Sequence, residues 1–107
     1  MQRLGQVLKL KPGRKASYRA CHAAVRPEVL ERIEQCNIRN CSIFLKGNTL
    51  FGYFEYQGDE LQADFKKMAE DKRTQEWWTI MEPMQDPLPD RKPGEWWASM
   101  DEVFHLD

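Results

Sequence analysis

A chain of 107 residues has room for one domain with a single core and none for a second domain with its own cleft. Its 16 Lys and Arg nearly cancel its 17 Asp and Glu, so no net field gathers a nucleic acid or an anionic membrane. No apolar run approaches membrane-spanning length, and Met1 to Leu10 lacks the unbroken apolar core of a signal peptide, so the expected setting is soluble and cytoplasmic.

Arg3 to Leu10 alternates, with Leu4, Leu8 and Leu10 on one side and Val7 on the other, and stops at the turn signal Lys11-Pro12-Gly13. The pattern predicts a first strand. From Arg14 to about Cys36 the residues Tyr18, His22, Val25, Val29, Ile33 and Cys36 fall at steps of three and four, one helical stripe. Pro27 removes a hydrogen bond and pushes Arg26 out of helical geometry, so the helix should split just after His22 and restart at Pro27-Glu28.

Asn37 to Lys46 and Thr49 to Tyr56 are β-rich runs joined by Lys46-Gly47-Asn48, an antiparallel hairpin. In the first run Cys41, Ile43 and Leu45 face one way and Ile38 and Phe44 the other; in the second, Leu50, Phe54 and Tyr56 oppose Phe51 and Tyr53. Helices on one face of such a sheet leave the other apolar and uncovered, and a second copy laid on the Phe51 and Tyr53 face is the simplest cover. Gly58-Asp59 signals the cap of a helix running through Ala69. Asp71 or Thr74 then starts a further turn or two bearing Trp77, Trp78, Ile80 and Met81, ended by Pro83. Residues 82 to 95 hold four of the six prolines and read as an irregular loop, with Glu102-Val-Phe-His-Leu106 as the last strand. The order β-α-β-β-α-β defines a split βαβ, the ferredoxin-like α+β fold, for the single domain 1–107.

Tyr18 and His22 stand four apart on one helical face, a phenol beside an imidazole whose charge changes near neutral pH: an acid/base pair. The plain alternative is a partly buried surface pair. Trp77 and Trp78 lie about a hundred degrees apart on a helix, so one packs while the other is free to face a cavity, where an indole suits the apolar face of a pyranose. The alternative for these is packing or interface. Glu28, Glu55 and Asp101 are candidates for orienting His22, and His105 in the terminal strand reads as structural. Cys21, Cys36 and Cys41, odd in number and without CxxC spacing, are expected to be reduced thiols. Two distant histidines make a poor metal set, and no GxGxxG, P-loop or nucleophile elbow occurs, which leaves chemistry without a cofactor.

The segment Tyr18-x-x-x-His22, then Pro27-Glu28, Asn37-Ile-Arg-Asn-Cys-Ser-Ile-Phe-Leu45, Trp77-Trp78 and the terminal Glu102-Val-Phe-His-Leu106 together resemble the L-rhamnose mutarotase family, including relatives described for L-fucose. The resemblance covers nearly the whole chain. It implies a homodimeric ferredoxin-like α/β barrel that interconverts the α and β anomers of a 6-deoxy-L-sugar without a cofactor. By the same resemblance His22 is the proton donor, Tyr18 binds the monosaccharide, and Trp77 and Trp78 line it. Cys41 takes the place of a sugar-contacting tyrosine of the family, and Arg26 that of a tryptophan, so the resemblance implies a wider pocket or a different hydroxyl pattern at Cys41. The rival is a non-catalytic carbohydrate- or small-ligand-binding dimer on the same fold. RNA binding is disfavoured by the net charge of −1 and the missing basic-aromatic strand signature.

Overall fold

The computed structural model describes residues 1–107. Strand β1 spans Gln2–Leu10, and the predicted helical run is split into α1, Lys15–His22, and α2, Pro27–Gln35. Pro27 is the cause. Arg26 is extended, with φ −61° and ψ 137°, as a residue before proline must be, and Pro27 opens α2 where its missing N–H costs nothing. The stripe turns inward as expected: Tyr18, Val29 and Cys36 are buried.

The hairpin is β2, Ile38–Lys46, and β3, Thr49–Tyr56, with Gly47 at φ 61° in the connecting turn. Helices α3, Leu61–Glu70, and α4, Lys72–Met81, follow, then a single 3-10 turn at Glu82–Met84 and two short strands, β4, Gln85–Asp86, and β5, Ala98–Met100. The sheet runs β2-β3-β1 and then β4, with β5 also on β1, all antiparallel. That order is the ferredoxin-like split βαβ.

Five expectations are corrected. Glu102–Leu106 is not a strand: β5 pairs Gly5 with Met100, so the continued register sets Glu102 opposite Arg3 and Phe104 opposite Met1, where β1 runs out. An ion pair of 3.0 Å does join Arg3 to Glu102, but Val103, Phe104 and Leu106 beyond it stand free. The proline-rich stretch, residues 82–95, holds the 3-10 turn and the strand β4 before the chain becomes irregular. Neither Gly58 nor Asp59 caps α3; Glu60 precedes it, and its N–H donates to the Tyr56 hydroxyl at 3.0 Å. Ile38 shares the face of Ile43 and Leu45, because a bulge between Arg39 and Ser42 places Asn40, at φ 50°, and Cys41 opposite the single residue Phe54 and so reverses the alternation. α4 is also longer than the turn or two predicted. Asp71 caps it, accepting from the Thr74 N–H at 2.9 Å and the Thr74 hydroxyl at 2.8 Å.

The core lies between one sheet face and the helices. Leu8, Leu10, Tyr18, Leu50, Met81 and Met84 form its larger part, and Cys36, Ile38 and Phe54 the smaller. Leu8 and Leu50 pair across β1 and β3 and are sealed from solvent, each contributing about 1.5–3 kcal/mol of transfer free energy. The opposite face is open: Phe44 is 61 % exposed, Phe51 41 % and Met100 39 %. With 16 of 107 residues buried, this core leaves much of the other sheet face open to solvent.

Candidate active site

The sequence places His22 as the last residue of α1, one turn after Tyr18, and the fold brings Trp77 of α4 against the imidazole and against the core cluster that holds Tyr18. The Tyr18 and His22 rings stack with centroids 4.2 Å apart and planes 29° apart. Trp77 meets the imidazole edge-on at 5.4 Å. Two ion pairs join α2 to α4 near that contact: Arg26–Glu76 at 3.1 Å, at the break after His22, and Arg32–Asp71 at 3.1 Å.

His22 Nδ1 lies 3.0 Å from the Tyr18 carbonyl oxygen. A carbonyl only accepts, so Nδ1 carries the proton in that bond, and Nε2 is left as the nitrogen able to exchange protons. None of Glu28, Glu55 and Asp101 bonds to His22. Glu55 is engaged elsewhere, accepting from Asn40 at 2.6 Å and from the Tyr53 hydroxyl at 2.8 Å. The orienting group is therefore a backbone carbonyl of the same helix.

Tyr18 is deeper than a surface pair would be, 4 % exposed, and burial raises its phenol above the ordinary tyrosine value. Its hydroxyl accepts from Gln85 Nε2 at 3.4 Å, and Gln85 Oε1 accepts in turn from Trp96 Nε1 at 2.7 Å. Neither Gln85 nor Trp96 was predicted here. The adjacent pair Trp96-Trp97 was the signal available, but nothing in its spacing points to Tyr18.

The remaining sequence candidates are less closely joined. Trp78 is 36 % exposed, so the pair divides as the helical angle requires, Trp77 inward and Trp78 outward. Cys41 sits in the β2 bulge, open to solvent, although its crowded surroundings raise the thiol above its usual value. No hydrogen bond or ring contact ties Cys41 or Trp78 to His22. Cys21 and Cys36 are free thiols packed on the core. His105 lies outside the site, 2.6 Å from Asp107 in the tail. Nowhere do three or more His, Cys, Asp or Glu side chains converge as a metal site would need. Neither of two hollows, of about 490 Å³ beside Trp96 and about 330 Å³ between the tail and β1, is lined by His22.

An imidazole with one nitrogen free, a phenol stacked on it and an indole against it, on a small ferredoxin-like fold, form a constellation chemically able to exchange protons. A sequence model of the L-rhamnose mutarotase family matches residues 3–106. Two L-rhamnose mutarotases, from Oceanobacillus iheyensis and Lactiplantibacillus plantarum, are 33 % and 35 % identical, each aligned over 100 % of both chains. The chain belongs to the L-rhamnose mutarotase family. The crystal structure of L-rhamnose mutarotase from Formosa agariphila superposes with a TM-score of 0.78 at 27 % identity, covering 100 % of both chains. Tetracenomycin F2 cyclase from Streptomyces glaucescens matches with a TM-score of 0.74, covering 100 % of this chain and 98 % of its own; at 13 % identity it shows the fold alone. No helix is long and apolar enough to cross a membrane.

Proposed function

We propose that this chain interconverts the α and β anomers of L-rhamnose, with L-fucose the next sugar in preference, and that it works in the cytoplasm as a homodimer without a cofactor. The observation that carries the reading is His22, with Nδ1 committed to the Tyr18 carbonyl, its ring stacked on Tyr18 and its edge on Trp77. An imidazole so held has one nitrogen available and one orientation.

Mutarotation opens a hemiacetal. The ring oxygen gains a proton, the anomeric hydroxyl loses one, the first carbon bond rotates, and the ring closes on the other face. Charged His22 gives its Nε2 proton to the ring oxygen; the anomeric hydroxyl loses its proton to water, and the neutral imidazole recovers one from water. Tyr18 holds a second sugar oxygen, while Trp77 and Trp78 take the apolar ring face and the 6-methyl group. The reaction is nearly thermoneutral and already proceeds in water, so a single positioned acid/base group, supplying roughly 10²–10⁴-fold, suffices for a protein this small.

Support for the dimer comes from the open sheet face. Phe44, Phe51, Tyr53 and Met100 are exposed there, and Val103, Phe104 and Leu106 of the tail are exposed beside it. Cys41, where the family pattern has a tyrosine, is the position at which the sugar's hydroxyl pattern would be read differently. Saturation-transfer NMR on L-rhamnose and L-fucose tests both halves of the reading: faster exchange of rhamnose than of fucose is expected. Exchange of neither sugar, with binding retained, would favour a ligand-binding role.

A further inference from the structure

Gln85 is a buried polar residue, 6 % exposed, in the two-residue strand β4. Its backbone is fixed, since Leu10 pairs with it across the sheet and Lys11 N–H donates to the neighbouring Met84 carbonyl at 2.9 Å. Trp96 is pinned as well. Its neighbour Glu95 accepts from the Lys92 N–H at 3.0 Å and from the Ser99 hydroxyl at 2.6 Å.

The chemistry of the three groups sets a direction. An indole nitrogen donates and never accepts, so its 2.7 Å bond must reach the amide oxygen of Gln85. The amide NH2 is thereby turned toward the Tyr18 hydroxyl, 3.4 Å away, and the phenol oxygen accepts from it. The phenol's own proton then has no acceptor among the protein's groups. A nearly buried O–H without an acceptor is costly, and such a group calls for a partner.

We infer that Gln85 and Trp96 are positioning residues that fix the Tyr18 hydroxyl as a hydrogen-bond donor toward an oxygen of the bound sugar. The inference deepens the mutarotase reading and rests on it only for the identity of that oxygen's owner. It also gives Trp96 a task that the sugar-lining role of the other tryptophan pair does not cover. The ionisation of Tyr18 agrees in sense: burial raises the phenol, and the Gln85 bond pulls it back down, as a donor to its oxygen must. The titratable neighbours of this hydroxyl are Cys21 and His22 of its own helix.

Gln85→Glu reverses the relay without changing its shape. A carboxylate only accepts, so it takes both the Trp96 N–H and the Tyr18 O–H and turns the phenol's proton away from the ligand. Anomer exchange should fall roughly 3- to 10-fold, the worth of one hydrogen bond, and the ratio to wild type should recover as the pH falls and the new carboxyl becomes a donor again. Tyrosine labelled with 13C at Cζ gives a readout that needs no ligand: the Tyr18 phenol should titrate at higher pH in Gln85→Glu than in wild type. Should Gln85→Glu fail to fold, Gln85→Met and Trp96→Phe carry the same test, the first raising the Tyr18 titration and both slowing exchange. Folded variants with wild-type rates and an unmoved Tyr18 titration would overturn the relay. Wild-type protein that exchanges no sugar would instead overturn the mutarotase reading, leaving the titration to decide the relay.

Discussion

Tyr18 has two separable sets of contacts, its carbonyl and ring on His22 and its hydroxyl on Gln85. Tyr18→Phe removes only the second, so its exchange rate should fall between wild type and His22→Ala. The double variant should be scarcely slower than His22→Ala, since on the proposed mechanism the Tyr18 hydroxyl only positions the sugar for the proton that His22 gives; rates measured for all four proteins check this. Elsewhere Tyr56 and Asp64 form a buried pair in which the phenol donates to the carboxylate, joined by Asn37 at 3.1 Å and Lys67 at 3.4 Å. Burial and then the bond to Asp64 push Tyr56 up to about 12, while the Tyr56 and Asn37 bonds hold Asp64 below the usual carboxylate value. An unfolded tyrosine titrates near 10, so stability from Tyr56 is fully present below about pH 10 and lost as the pH rises toward 12. Asp64 works at the other limb. Its stabilisation is present above about pH 4 and lost as the pH falls through its lowered value. Tyr56→Phe should flatten the alkaline limb of a melting-temperature profile and soften the acid one. At this scale Tyr18 and His22 were legible because four residues make one helical turn, and Gln85, sixty-seven residues from Tyr18, was not, because only the folded sheet brings β4 beside α1.

Elements show the same division between local and non-local cause. The break at Pro27 and the hairpin turn at Gly47 follow from backbone rules that act within a few residues, and both were legible. The β2 bulge was not, because it arises from pairing Asn40 and Cys41 against Phe54 alone, with the Asn40 amide drawn to Glu55 at 2.6 Å. One unpaired residue moved Ile38 to the other face. The start of α3 was misread for a related reason: Glu60 N–H is satisfied by Tyr56 across a turn rather than by a neighbouring side chain. Gly58 is the residue that lets this turn close. A Cβ at Gly58 would collide with the Tyr56 hydroxyl and the Asp64 carboxylate, so Gly58→Ala should lose about 1–3 kcal/mol in chemical denaturation, with the exchange rate of the folded protein unchanged.

On the scale of the whole molecule, the helices cover one sheet face, and the other carries a row of apolar residues, Phe44 opposite Phe51 and Phe51 opposite Val7. Sedimentation at micromolar concentration should find a dimer, and Phe51→Glu should dissociate or unfold it. Deleting residues 102 to 107 should weaken the dimer as well, since the exposed tail residues have no strand of their own chain to lie against. The alternating apolar pattern made the uncovered face legible. The tail was misread as a strand because its β-branched and aromatic content looks the same whether or not a partner strand exists, and β1 ends too soon to supply one. The central claim, that His22 moves the proton, meets its most direct test in saturation-transfer NMR on L-rhamnose with wild-type and His22→Ala protein, each shown to be folded. A loss of roughly 10²–10⁴-fold in catalysed exchange with little change in melting temperature is predicted, and a His22→Ala protein that melts lower yet exchanges anomers at the wild-type rate would contradict it.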